Sequence, residues 1–319
     1  MKKLLITRGI SSVVLDQARA RFDTTVREQA SGLTPDEATQ ALRDYDAILP
    51  TLGDQFSAAA FDAAQGAIRC KVLGNFGVGY NHIDAAAARA HGVAVTNTPD
   101  VLTDATADIG MTLLLATARR AGEGERMLRA GKWGGFGPKG LLGTHVTGKT
   151  IGIIGMGRIG QAVAHRAHFG FGMPVVFYNR SPKTVPMPAR QVATLAELMG
   201  TADFVVATTP GGAETTHLIN AAALAAMKPT GIFINISRGE VVDEPALIDA
   251  LEGGVIAGAG LDVYENEPQV PERLRALETC VLLPHLGSAT VETRIAMGQL
   301  ALDNIIAWAE GRNLLTQVN

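Results

Sequence analysis

The hydrophobic positions of this chain fall into short continuous runs separated by stretches of helical period. Leu4-Leu5-Ile6 and residues 45–50, 70–74 and 93–97 supply such runs in the first third. Ile151-Gly152-Ile153-Ile154, Val175-Val176-Phe177-Tyr178, Phe204-Val205-Val206-Ala207 and residues 232–236, 257–261 and 280–283 supply them in the rest. A run that is apolar throughout, with no polar alternation, is what a strand covered on both faces requires. Between the runs the period changes. Val14, Ala18 and Phe22 recur at spacing four, as do Ile159, Val163 and Ala167, which predicts helices over residues 12–22 and after residue 158. Strands alternating with helices predict an α/β protein with parallel sheets.

Two longer helices are predicted. Residues 103–120 read as one helix, with Thr103 as N-cap, Asp104 and Asp108 near its positive end and Arg119-Arg120 near its negative end. Its middle, 109–116, is apolar almost all round, so it is expected to be buried on most sides, between two domains or two subunits. Residues 291–310 form an amphipathic helix closed by Gly311. It follows the last strand of the second domain and is expected to return to the first. The predicted domains are therefore 1–99 with 288–319, and 100–287.

Composition narrows the class. A chain of 319 residues, 47% hydrophobic, has room for two well-buried domains. A net charge of −3 does not favour nucleic acid or an anionic membrane. No apolar run reaches the ~18 residues of a membrane span, and Met1–Arg8 is too short and too soon charged for a signal peptide. Cys70 and Cys280 lie in apolar runs and read as buried thiols. A cytoplasmic enzyme with no metal centre is expected.

The chemistry starts at residue 149. Lys149-Thr150-Ile151-Gly152-Ile153-Ile154 is a strand, Gly155-Met156-Gly157-Arg158-Ile159-Gly160 is G-x-G-x-x-G, and a helix and the strand 175–178 follow. This is the βαβ unit that binds a dinucleotide. Gly155 makes the tight turn, Gly157 lets a pyrophosphate approach, and Gly160 lets helix and strand pack. The N–H groups and positive dipole end of the helix face the phosphates. At the end of the second strand an acidic residue would bind the ribose 2′-OH of NAD. This chain has Asn179-Arg180-Ser181-Pro182-Lys183 instead. An Arg fork suits a 2′-phosphate, so NADP(H) is favoured and NAD(H) is allowed. The less favoured alternative is that Arg180 and Lys183 are ordinary solvated loop charges.

Polar residues follow the carboxyl ends of the later strands, where ligands bind in an open parallel sheet. Arg238 suits the carboxylate of an acid substrate. His285, after Pro284, can donate and accept a proton near neutrality. Glu267 could bond the other ring nitrogen and favour the imidazolium. Beside a nicotinamide, that set transfers hydride to a carbonyl. In the first domain, Gly77-Val78-Gly79 is either a backbone nest for a carboxylate or a tight turn. The loop at residues 131–138 carries Trp133 and Phe136, which need cover from a second subunit or from the chain itself.

The chain resembles the D-2-hydroxyacid dehydrogenase family, most of all its glyoxylate/hydroxypyruvate reductase branch. The resemblance runs along essentially the whole length, on residues 75–84, 148–160, 235–244, 261–268 and 284–290. It implies a Rossmann-type doubly wound cofactor domain, a flavodoxin-like discontinuous substrate domain, and a homodimer. It implies that Arg238, Glu267 and His285 are catalytic. Leu52, Val78, Gly79, Arg238, His285 and Ser288 would meet a small 2-oxo or 2-hydroxy acid. Gly155, Met156, Gly157, Arg158, Ile159, Gly160, Asn179, Arg180, Ser181, Thr209, Pro210, Ile236, Ser237, Asp262 and Gly287 would meet the cofactor, with Asp262 at the nicotinamide carboxamide. Asn81-His82 and Pro210-Gly211-Gly212 depart from the commonest family pattern. They leave open which acid is used: glyoxylate, hydroxypyruvate or a bulkier keto acid such as a ketogluconate. A chain ending at Asn319 is not expected to carry the regulatory domain of long phosphoglycerate dehydrogenases. A formate dehydrogenase would pair its His with Gln rather than Glu267. A non-catalytic dinucleotide sensor is the other class of reading, disfavoured by the intact triad.

Overall fold

The computed structural model describes residues 1–319. It consists of two compact units, Met1–Leu102 with Ala289–Asn319, and Thr103–Ser288.

The first unit is built on five parallel strands: β1 (Lys3–Ile6), β2 (Asp23–Val26), β3 (Ala47–Leu49), β4 (Val72–Gly74) and β5 (Ala94–Thr96). Their order is β2-β1-β3-β4-β5, the flavodoxin-like arrangement with its switch point between β1 and β3. Side chains alternate across the sheet. Leu4 and Ile6 pack with Val14, Leu302 and Ile305, while Leu5 packs with Ile48, Phe61 and Leu73. Both faces are therefore covered over β1, β3 and β4, whose buried positions are apolar, whereas the edge strand β2, Asp23-Thr24-Thr25-Val26, is mostly polar and only partly covered. The helix Val291–Ala309 covers one face, and Gly311, at φ 69, ends it. The tail then pairs against β5, with Val318 N–H donating to Val95 O at 2.9 Å.

The loops after β1 and β3 are tied together at the switch point. The Thr7 and Thr51 hydroxyls lie 3.2 Å apart, and Arg8 donates to Thr51 Oγ1 at 2.8 Å and to the Leu52 carbonyl. Asp54 is fully buried and accepts from the N–H groups of Leu33 and Thr51, each at 2.8 Å. The position of Leu52 thus follows from Asp54 and Arg8.

The second unit has seven parallel strands: β6 (Ile151–Ile154), β7 (Val175–Tyr178), β8 (Arg190–Gln191), β9 (Phe204–Ala207), β10 (Ile232–Asn235), β11 (Gly258–Leu261) and β12 (Cys280–Leu282). Their order is β12-β11-β10-β9-β6-β7-β8. From β8 to β11 this is the doubly wound Rossmann order, reversing between β6 and β9. One face packs on the helices Thr103–Ala118 and Arg158–Phe171, the other on Leu195–Thr201, Ala221–Ala225 and Glu244–Glu252.

The expected single helix over residues 103–120 is corrected. It stops at Ala118, Arg120 takes a left-handed φ of 52, and a separate helix runs over Ala121–Arg129. Thr103 lies inside the first helix and is not its cap. The helix is buried within its own unit: a methyl on Gly110 would come 2.9 Å from Ile236 Cδ1. The strand β2 and the edge strand β8 are too short and too polar to be legible in the sequence; the helix Pro35–Asp44 is absent from the sequence reading although its Thr34–Glu37 capping box and its apolar face at Ala38, Ala41 and Leu42 are local signals. Cys70 and Cys280 are buried free thiols, and burial pushes both up, to about 12 and about 11.

Removing the Asp54 carboxylate leaves two buried N–H groups without their acceptor. Asp54→Ala is expected to cost about 2–4 kcal/mol of stability, read as a lower urea midpoint. Unchanged stability would mean that water or a neighbour replaces the carboxylate.

Candidate active site

Three strand ends of the second unit bring the titratable residues together. After β10, Ser237 leads to Arg238. Ser237 is buried, and its hydroxyl bonds Asn235 Oδ1 at 2.8 Å. The Asn235 amide donates to the Arg238 carbonyl at 3.0 Å. Gly239 then passes so close to the segment after β11 that a methyl there would overlap the Tyr264 carbonyl at 1.9 Å. Only glycine fits, and the close approach sets Arg238 beside Glu267.

Tyr264 in turn joins the ends of β11 and β12, its phenol donating to the Leu283 carbonyl at 2.9 Å. Its N–H donates to Glu267 Oε1 at 3.1 Å. The other oxygen, Oε2, lies 2.8 Å from His285 Nδ1. Burial pushes the Glu267 carboxyl up. The His285 hydrogen bond and charge, the Tyr264 N–H and the Arg238 charge outweigh it and hold the carboxyl below its ordinary value. Glu267 is thus a carboxylate facing Nδ1, which leaves Nε2 as the ring nitrogen for chemistry.

His285 sits in a left-handed backbone conformation, φ 54, uncommon for a residue with a Cβ. Asp262 holds it there. The Asp262 carbonyl accepts from His285 N–H at 3.0 Å, and its carboxylate oxygens accept from Leu286 N–H at 2.6 Å and Gly287 N–H at 2.8 Å. Burial pushes the Asp262 carboxyl up, against those two N–H groups and the nearby His285. Both carboxylate oxygens and the Gly287 N–H are therefore engaged in positioning His285, a role the sequence reading did not give them.

Arg238 is largely buried, with Nη1 donating to the Ser237 carbonyl at 2.6 Å. Burial lowers its pKa, opposed by the charges of Glu267 and Glu240. Neither carboxylate is hydrogen-bonded to it, and the guanidinium keeps donors for an anion.

The dinucleotide fingerprint also takes its expected form. Gly155 has φ 92, and a methyl there would come 2.8 Å from Thr209 Cα. One on Gly160 would meet the Gly155 carbonyl at 2.3 Å. A methyl on Gly157, at the head of the helix Arg158–Phe171, would point into open space, the room that a diphosphate needs. Beside it lies a cavity of about 540 Å³, lined by Gly155, Asn179, Arg180, Ser181, Thr209, Pro210 and Glu214 among others. These residues fit the adenosine end of a dinucleotide.

Asn179, which lines that cavity, also braces the turn, its Oδ1 accepting from Met156 N–H at 3.3 Å. Met156 and Ile236 side chains belong to the core. Glu214 was missed. It pairs with Arg180 from the loop after β9, far along the chain, with no spacing to announce it. In the first unit, Asn75 Nδ2 donates to the carbonyls of Gly77 and Gly79, each at 3.0 Å, and Asn97 Nδ2 to that of Val78 at 3.0 Å. That bracing uses carbonyls and leaves the Val78 and Gly79 N–H groups outside it.

A fingerprint open at Gly157 and a His–Glu pair at neighbouring strand ends are the marks of a nicotinamide-dinucleotide-dependent oxidoreductase. Residues 111–287 match the family model described as D-isomer specific 2-hydroxyacid dehydrogenase, NAD binding domain. A glyoxylate reductase of Thermococcus kodakarensis is 44% identical over 99% of this chain and 96% of its own. One from Pyrococcus furiosus is 42% identical over 99% and 95%. Among solved structures, an NADPH-dependent glyoxylate/hydroxypyruvate reductase from Sinorhizobium meliloti, in complex with NADP and malonate, superposes with a TM-score of 0.88 at 38% identity, covering 99% of this chain and 96% of that one. The chain belongs to the D-isomer specific 2-hydroxyacid dehydrogenase family. It is an NAD(P)-dependent D-2-hydroxyacid dehydrogenase that acts in the reduction of a 2-oxo acid.

Because the Glu267 carboxyl lies below its ordinary value in the folded protein, its contribution to stability is present above the unfolded value. It is lost as pH falls through the lowered one. Glu267→Gln is expected to flatten the acid side of a melting-temperature profile, from the ordinary glutamate value of ~4.3 downward. An unchanged acid limb would contradict the pairing with His285.

Proposed function

We propose that this enzyme reduces small 2-oxo acids, glyoxylate to glycolate and hydroxypyruvate to the D-2-hydroxy acid, with NADPH preferred over NADH. The observation that carries the chemistry is the His285–Glu267 pair beside an Arg238 that has no hydrogen-bonded carboxylate of its own. The dinucleotide, when bound, supplies a hydride. Arg238 takes the substrate carboxylate in a bidentate grip and fixes the oxo carbon. The His285 imidazolium, its Nδ1 side turned to Glu267, donates its Nε2 proton to the oxo oxygen as negative charge develops there. Glu267 stabilises the imidazolium and fixes the ring. In the reverse reaction, neutral His285 takes the hydroxyl proton. Leu52, Val78, Gly79 and Ser288 are assigned to the substrate by their match to the family pattern.

The cofactor preference rests on the absence of a carboxylate at the end of β7 and on Arg180 at the adenosine-end cavity. The Sinorhizobium meliloti reductase, described as NADPH-dependent, supports the same reading. The natural oligomer is proposed to be a homodimer. Between residues 128 and 142 the side chains of Leu128, Trp133, Phe136 and Leu142 are all exposed, Phe136 at 93%, and a second copy would bury them.

Initial rates with glyoxylate, hydroxypyruvate and pyruvate test the activity. His285→Ala is expected to lower kcat by about 10²–10⁴. Arg238→Gln should raise KM for each acid and lower kcat as well. A His285→Ala enzyme with full turnover would remove the assignment. NADPH should give a kcat/KM at least about tenfold above NADH, a difference of one charge-assisted contact. Equal use of both would reduce Arg180 to a surface charge.

Light scattering should give twice the 33.4 kDa chain mass. Trp133→Ser with Phe136→Ser should halve it. An unmodified protein of single-chain mass would contradict the dimer.

A further inference from the structure

The loop after β9 reads Pro210-Gly211-Gly212-Ala213-Glu214, and its glycines have a structural cause. A methyl on Gly211 would come 2.4 Å from Glu240 Oε1 and 2.9 Å from Arg238 Cγ. Gly212 has φ 124, a conformation open to glycine. Gly212 N–H donates to Glu240 Oε1 at 2.9 Å, and the Thr215 hydroxyl donates to the Pro210 carbonyl at 2.7 Å. The loop is braced on both sides of Glu214.

The facing segment after β7 is braced as well. Gln191 Nε2 donates to the Asn179 carbonyl at 3.3 Å and to that of Ser181 at 3.1 Å, while its Oε1 accepts from Lys183 N–H at 3.0 Å. Two fixed backbones thus present two long, charged side chains to one cavity, whose lining includes both Arg180 and Glu214. Those side chains form an ion pair with each other. They are 83% and 78% exposed, so the pair is held weakly and a stronger anion can open it.

We propose that Glu214 is a specificity-determining residue. Its carboxylate occupies the Arg180 guanidinium in the free protein, and a ribose 2′-phosphate must displace it to bind. Glu214 therefore sets how strongly the site prefers a 2′-phosphorylated adenosine over an unphosphorylated one. The inference rests on the reading of Arg180 as the 2′-phosphate ligand. An exposed pair of this kind populates its closed form about one- to five-fold over its open form. Binding that needs the open form is weakened by the corresponding about two- to six-fold. A ligand without the 2′-phosphate does not need Arg180 and escapes this penalty.

The test is the dissociation constant of adenosine 2′,5′-bisphosphate and of adenosine 5′-diphosphate, measured calorimetrically on the full chain. The wild type is compared with Glu214→Gln, Arg180→Gln and the double variant, with melting curves as a check on folding. Glu214→Gln is expected to tighten the 2′,5′-bisphosphate about two- to six-fold and to leave the 5′-diphosphate unchanged. Arg180→Gln should weaken the 2′,5′-bisphosphate at least about tenfold, and Glu214→Gln should then have no further effect. If Arg180→Gln weakens the bisphosphate but Glu214→Gln leaves it unchanged or weakens it, Glu214 is no competitor, and the proposal falls while the NADPH reading stands. If Glu214→Gln weakens the 5′-diphosphate, the carboxylate holds the ribose, which also overturns the proposal. If Arg180→Gln changes neither ligand, both readings fall.

Discussion

The Asp262 side chain is the constraint on which the reactive end of the second unit depends. Its two oxygens take the N–H groups of Leu286 and Gly287, and the backbone carbonyl of Asp262 takes that of His285. These three bonds hold His285 in a left-handed conformation that a residue with a Cβ adopts only under constraint. With the backbone so fixed, Nδ1 meets Glu267 and the ring has one free nitrogen. A carboxylate buried this far loses hydration, and the two N–H groups offset that loss in part. Removing it takes away two of the three bonds on the turn that carries His285.

The same economy of strand ends runs through the unit. Parallel strands place their carboxyl ends on one side of the sheet. The turns after β6, β7, β9, β10, β11 and β12 therefore carry nearly all the polar residues with a chemical role. Tyr264 and Gly239 draw the last three together, one by a hydrogen bond and the other by the lack of a side chain. The rest of each strand, the polar edge strand β8 apart, is apolar because both faces are covered.

What was legible in the sequence follows from range. The fingerprint is contiguous, and each glycine has a local cause, so its strand–turn–helix form could be read directly. Arg238, Glu267 and His285 were legible as polar residues at strand ends, and the family pattern sharpened their roles. The Arg180–Glu214 pair was not, because nothing local announces that the loop after β9 faces the loop after β7. Nor was the double engagement of Asp262, whose partners are N–H groups and leave no trace in residue type. The break at Arg120 was hidden because arginine is a good helix former, and only the left-handed φ reveals it.

In the proposed reaction a hydride passes from the nicotinamide to the oxo carbon of an acid held by Arg238, with His285 supplying the proton. Reducing hydroxypyruvate with NADPH deuterated at C4 of the nicotinamide, using each C4 epimer in turn, and analysing the product tests this directly. One epimer is expected to deliver a deuterium to C2, and the product is expected to be the D-isomer alone. A product with no deuterium at C2 from either epimer, or a mixture of D and L forms, would contradict it.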